Sequence, residues 1–248
     1  MPHGRVRVVL LTGPNALEPI VEALRVGGAK VTRLVVVEPV PLPPSAWRPP
    51  LSALGAVDDV VVTSRSGVLA GVVPWREEGR RARRVRYWSS GPATAATLRS
   101  VGVTNVREPP GLGGAAVARA IGRGRRRILR FRSDRAGPSL ARALRARGHT
   151  VTDVVVYRTR LRARFGRAER ARLARADLIV ASSPSALRAL VAALDPPSLA
   201  RLARRVRLVV IGPRSARAAR AAGFVRISVT PSLTAQRFTR PLLPAGIE

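Results

Sequence analysis

Apolar residues along this chain fall into two alternating patterns. Strand-sized runs such as Val8–Leu11, Val35–Val37 and Val60–Val62 are apolar throughout, as in strands covered on both faces. Between them, apolar residues recur three and four positions apart, the helical spacing. Residues 5–37 read as a strand–helix–strand unit. A strand covers Val6–Leu11, Thr12-Gly13-Pro14-Asn15 makes a turn, a helix opens after Pro14 and closes at Gly27-Gly28, and a second strand covers Val31–Val37. The pattern returns at 125–157. Set about 120 positions apart, Ala23-Leu24-Arg25 falls on Ala143-Leu144-Arg145, Gly28 on Gly148, Val31-Thr32 on Val151-Thr152, and Val36-Val37 on Val156-Tyr157. A repeat of this length sets the fold before any local motif is considered.

Three further pairs extend the repeat. DDVVVTSRSGVLAGV, from Asp58, matches DLIVASSPSALRAL, from Asp177, setting Ser64 opposite Ser182 and Ser66 near Ser185. VRYWSSGPATAATLRSVGV matches VRLVVIGPRSARAARAAGF, aligning Gly91-Pro92 with Gly212-Pro213 and Thr94 with Ser215. VREPPGLGGAAVARAI matches ISVTPSLTAQRFTRPL, aligning Pro110 with Pro231. Alternating strands and helices with short turns predict parallel sheets covered by helices. The copies are permuted: the strand–helix–strand unit opens the chain, but its twin follows the other blocks. This order predicts an inserted domain over 39–158 and a discontinuous one from 1–38 and 159–248. The chain would cross twice between them, through a two-stranded hinge. Proline-rich Glu38–Pro50 is read as an extended linker.

Composition narrows the class. The 248 residues can hold one large domain or two of ordinary size, and 46% hydrophobic content is enough for a real core. No apolar run is long enough to span a bilayer, and the N-terminus lacks an apolar leader segment; a cytoplasmic protein is the expectation. Without cysteine there is no disulfide framework or thiolate chemistry. The net charge is +31, and Lys30 is the single lysine, so the excess is almost wholly arginine. Arginine holds carboxylates and phosphates bidentately, so the charge points to a polyanionic partner, either a nucleic acid or a ligand with many carboxylates. Aromatic residues are only 4%, too few for an evident base-stacking platform.

In parallel sheets, ligands bind beyond the carboxyl ends of the strands. Those ends carry Thr12, Thr63-Ser64, Ser89-Ser90, Ser133, Ser182-Ser183 and Gly212, hydroxyls and helix starts rather than acids or histidines. Free N–H groups at a helix start favour anions, and Gly91-Pro92 and Gly212-Pro213 suit that use. Each hydroxyl is equally suited to capping its own helix; recurrence in both halves points to two hydroxyl-lined rims facing each other across the hinge. GLGGAA at 111–116 follows two prolines instead of a strand, which argues against a dinucleotide site. His3 and His149 have neither a metal-ligand nor a triad partner in the sequence. Asp134 is expected to pair with Arg132 or Arg135.

VVVTSRSGV, SSGPATAATL, LRARGHTVTDVVVYRT, IVASSPSAL and VIGPRSARAARAAG, in this order and spacing, resemble the uroporphyrinogen-III synthase family over almost the whole chain. The resemblance implies two flavodoxin-like α/β domains related by internal duplication and joined by a two-stranded linker. It implies a monomer without metal or cofactor. The implied reaction cyclises hydroxymethylbilane, a linear tetrapyrrole with eight carboxylates, handed over by hydroxymethylbilane synthase: a hydroxyl is lost, ring D inverts through a spiro intermediate, and the ring closes to uroporphyrinogen III. Tyr157 matches the family's tyrosine, proposed to assist loss of the hydroxyl. Ser64, Ser66, Gly91, Thr94, Arg132, Ser133, Ser182, Ser183, Ser185, Gly212 and Ser215 are the implied substrate-binding residues. Gly13 stands where many members have arginine, Arg65 where proline is common and Ser66 where asparagine is common. Two other readings stay open: a non-catalytic two-domain polyanion- or nucleic-acid-binding module, and a degenerate synthase acting as a regulatory domain.

Overall fold

A computed structural model describes residues 5–14, 18–47, 55–77 and 85–230. The chain forms β1 (Arg7–Thr12), α1 (Glu18–Val26), β2 (Lys30–Val35), β3 (Val37–Pro41) and β4 (Asp59–Val62). It continues through α2 (65–77), β5 (Arg86–Ser89), α3 (Pro92–Ser100), β6 (Val106–Arg107), α4 (Gly114–Ile121), β7 (Arg127–Ser133), α5 (Ser139–Arg145) and β8 (Thr150–Leu161). It ends with α6 (Arg167–Arg175), β9 (Leu178–Ala181), α7 (Pro184–Ala193), α8 (Pro196–Arg205), β10 (Arg207–Ile211), α9 (Gly212–Ala221) and β11 (Arg226–Thr230). Two compact units result, one from residues 1–38 and 160–248, the other from 39–159.

The first unit holds a sheet in the order β11-β10-β9-β1-β2, the second a sheet in the order β3-β8-β7-β4-β5-β6. The pairs β1–β2, β1–β9, β9–β10 and β10–β11 are parallel, as are β4–β5, β4–β7, β5–β6 and β7–β8. Side chains explain the continuous apolar runs. Val9 and Leu11 enter one core of the first unit, while Val8 and Leu10 enter another. Val60 and Val62 divide from Val61 in the same way in the second unit. Alternate residues point to opposite faces, so a sheet covered on both faces needs every position apolar.

The predicted second strand of the opening unit is divided at Val36. Its N–H bonds to Thr12 O, while its carbonyl accepts from Arg162 N. The proline-rich segment that follows is not simply extended: β3 is a strand and Pro44–Ala46 a single 3-10 turn. Pro39 and Pro41 are accommodated because β3 is the outermost strand, where a missing N–H breaks no ladder on the open side. Val36 bonds to Arg162 and Leu42 to Val156, so this segment and β8 run in opposite directions. The fourth repeat beyond Thr230, residues 15–17 before α1, His3 and residues 78–84 lie outside the described residues.

Candidate active site

In the second unit, β4 leads into Thr63-Ser64. Ser64 is extended (φ −156°, ψ 152°) and caps α2, its Oγ accepting from Gly67 N at 3.0 Å. That Oγ also lies 2.9 Å from Tyr157 Oη on β8. The two strands are not neighbours, because β7 lies between them, so the phenol reaches over its end. A bulge makes the reach productive. Arg132 pairs with Val155, but Ser133 pairs with Tyr157, the register slipping by one residue. An extra residue on one strand re-aims the side chains beyond it. Ser133 O accepts from Ala136 N, and Asp134 N donates to Tyr157 O, fixing the backbone at the tyrosine.

Ser66, half-buried, lies in the first turn of α2. β5 ends at buried Ser89. Ser90 Oγ donates to Thr63 O at 3.2 Å, and Ser90 O accepts from Gly113 N at 2.8 Å, tying the turn before α3 to the glycine-rich loop. Gly91 precedes Pro92 at the start of α3, and Thr94 in its first turn is buried. GLGGAA thus serves packing: a Cβ on Gly114 would meet Leu140 at 3.3 Å.

Arginine at this site is partly committed. Arg130, only 3% exposed, lies against Asp153, with Nη2 donating to Oδ2 at 3.1 Å and Nε 2.5 Å from Oδ1. Burial pushes its guanidinium pKa down, opposed by Asp153. Arg132 Nε is 3.7 Å from the same carboxylate, and its Nη1 donates to Ser133 O at 2.9 Å. Two guanidinium groups on one carboxylate leave a positive charge beside Ser133. Asp134 does not form the expected ion pair; its Oδ1 accepts from Thr159 N at 2.9 Å, and Arg135 donates to Thr159 O.

The first unit repeats the arrangement with different detail. Ser182 follows β9, its N–H on Leu11 O. Ser183 caps α7 through Ala186 N at 3.1 Å. In position and role Ser183, not Ser182, is the counterpart of Ser64, a one-residue correction to the repeat alignment. Ser185 Oγ accepts from Arg188 Nη2 at 2.8 Å. Gly212 opens α9 at φ +69°, a left-handed conformation that favours glycine, and Ser215 is 1% exposed in its first turn. Ser215, Thr12 and Ser89 bury hydroxyls with no hydrogen bond among the described residues. The sequence places Thr12 and Ser89 at strand ends, but gives no signal that their hydroxyls are buried and unpaired. Among the described residues, no three His, Cys, Asp or Glu gather as a metal site.

The family model described as uroporphyrinogen-III synthase HemD matches residues 18–239. The chain belongs to the uroporphyrinogen-III synthase family. Solved synthases share its fold. A mutant uroporphyrinogen III synthase from the extremely thermophilic bacterium Thermus thermophilus superposes with a TM-score of 0.64 at 18% identity, covering 94% of this chain and 95% of that one. The uroporphyrinogen-III synthetase of Helicobacter pylori gives 0.61 at 14% identity, covering 94% and 96%. No curated protein matches the chain. Membership in the uroporphyrinogen-III synthase family makes this a tetrapyrrole-cyclising enzyme. No helix among the described residues is long and apolar enough to cross a membrane.

Proposed function

We propose that this synthase is a cofactor-independent hydro-lyase that closes hydroxymethylbilane to uroporphyrinogen III with inversion of ring D. The observation that carries the reading is the 2.9 Å pairing of Ser64 Oγ with Tyr157 Oη at the strand carboxyl ends. A phenol hydroxyl is a hydrogen-bond donor and can act as a general acid. In the proposed first step, the pyrrole nitrogen's lone pair expels the terminal hydroxyl. The C–O bond breaks, and a proton delivered at the Tyr157 oxygen lets the group leave as water. Ring D then joins through its substituted carbon to give the spiro intermediate. The older bond, from that carbon to the methylene of ring C, then breaks with its electrons returning to ring D. The free α-carbon of ring D attacks the methylene left on ring C, and loss of that carbon's proton to the Tyr157 oxygen closes the macrocycle with ring D reversed.

No strand-end carboxylate or imidazole takes a nucleophilic role in this scheme; the work is positioning and electrostatics. The eight substrate carboxylates are proposed to meet helix starts at Gly91-Pro92, Ser183-Pro184 and Gly212-Pro213. Hydroxyls of Ser64, Ser66, Thr94, Ser133, Ser182, Ser185 and Ser215 and the surplus charge at Arg132 complete the binding set. The protein acts as a cytoplasmic monomer, taking substrate from hydroxymethylbilane synthase. The test couples it to a hydroxymethylbilane-generating enzyme, oxidises the product and separates the isomers. The type III isomer is expected; type I alone, the product of spontaneous closure, would sink the proposal.

A further inference from the structure

A cavity of about 680 Å³ opens between α6 and α8 in the first unit, away from the strand carboxyl ends. Its base is apolar: Leu173 and Leu202 are buried beneath it, and half-buried Leu194 closes one side. Ala171 and Ala174 keep the α6 wall low. Arg170, Arg201, Arg204 and Arg205 form the rim, all exposed.

Among the described residues, no carboxylate forms an ion pair with any of these four arginines. The nearby acids are engaged elsewhere. Glu169 pairs with Arg162 at 2.8 Å and takes Gly166 N. Asp195 caps α8 through Ser198 N and Asp177 is bound by Arg7; they act on Arg201 and Arg205 only through space, as weaker contributions than these hydrogen bonds. Two rim arginines are already oriented: Arg205 Nη2 donates to Ala174 O, and Arg201 Nη2 to Ser198 Oγ. One bond already holds each of these exposed guanidinium groups, which lowers the side-chain entropy lost on binding.

We infer that this groove is a docking surface for an acidic amphipathic helix of a partner protein. The base takes the helix's apolar stripe, and the arginine rim takes its Glu and Asp side chains as charge-assisted, bidentate bonds. The groove follows helices of nine and ten residues, about 14 Å at the helical rise, so it accepts two to three turns of a partner. Nucleic acid fits the rim alone: a phosphate backbone gains nothing from leucines and alanines, whereas an amphipathic helix uses both.

The test uses the full chain and a fluorescent peptide of about four helical turns, with leucines on one face and glutamates on the other. Anisotropy is read against a glutamate-rich peptide without the leucine stripe, the lysine analogue and a DNA duplex. The paired change Arg170→Glu, Arg204→Glu is compared with Arg123→Glu, Arg125→Glu, an equal charge change on the other unit. Ala171→Trp fills the groove without altering charge. The amphipathic acidic peptide is expected to bind best and to lose about tenfold in affinity in the groove pair and in Ala171→Trp, but not in the control pair. Thermal midpoints confirm that each variant is folded. Absent binding, equal loss in both charge pairs, indifference to the leucine stripe or to Ala171→Trp, or groove-dependent binding of the duplex alone would each overturn the proposal.

Discussion

Ser64 Oγ and Tyr157 Oη are 2.9 Å apart across the end of an intervening strand, although 93 positions separate them in sequence. Ser64 Oγ also accepts from Gly67 N, so one hydroxyl joins a helix start to a phenol. Replacing Tyr157 by Phe removes the proton donor and leaves the ring in its core. We expect kcat for type III formation to fall about 10²-fold, with the thermal midpoint almost unchanged. Ser64→Ala removes both cap and anchor, costing about 1 kcal/mol of stability and lowering kcat about tenfold. Full turnover in Tyr157→Phe by the isomer assay would end its assignment as donor.

Two acidic residues test how burial sets the cost of an orphaned partner. Asp153 is the counter-charge to Arg130, whose side chain is only 4% exposed. Asp153→Ala leaves that guanidinium without its carboxylate and is expected to cost about 3–5 kcal/mol. Asp59 is fully buried, accepting from Trp88 Nε1 at 2.8 Å and Arg86 Nη2 at 3.0 Å. Its arginine partners, Arg86 and Arg126, are about one-third exposed and can turn to water. Asp59→Ala is therefore expected to cost less, about 2 kcal/mol. Urea denaturation at neutral pH orders the two; the reverse order contradicts the account.

Gly71 lies in the π-helical turn of α2, packed on Phe131. A Cβ there would stand 2.7 Å from the ring, and Phe131 is 1% exposed with no room to retreat. Gly71→Ala is expected to destabilise by about 1–3 kcal/mol through overpacking. A neutral or stabilising result in chemical denaturation would show that the ring is free to move.

Asp177 ties its loop to the start of β1 through Arg7, with Oδ1 and Oδ2 taking the guanidinium at 3.0 and 3.1 Å. The Arg7 side chain holds the Asp177 carboxyl below its usual range, against the upward pull of desolvation. A carboxyl lower in the folded than in the unfolded state stabilises the fold above its unfolded pKa. That contribution is lost as pH falls through the folded value. The thermal midpoint is therefore expected to drop as pH falls below about 4, with a shallower drop in Asp177→Asn. An identical pH profile in that variant would remove Asp177 from the linkage. Both side chains are substantially exposed, so the effect is modest and shrinks with salt.

The sequence by itself determined the parallel α/β fold. A strand buried on both faces must be apolar at every position, and a helix beside it must repeat its apolar residues every three to four, so both are written locally. Hydroxyls at strand ends were legible for the same reason: Ser64 and Ser183 stand one residue beyond apolar runs and open helices. The tertiary structure alone decided which of them meet. The bulge at Ser133 that sets Tyr157 beside it depends on pairing between β7 and β8, and no local pattern announces it. The sharing of Asp153 by Arg130 and Arg132 required strand register. Asp134 departs from its expected ion pair because sequence adjacency favours an arginine, whereas the neighbouring strand presents the Thr159 N–H. The arginine groove between α6 and α8 shows the same division. Composition showed the charge, but only the packing of two helices gathered four arginines over an apolar base.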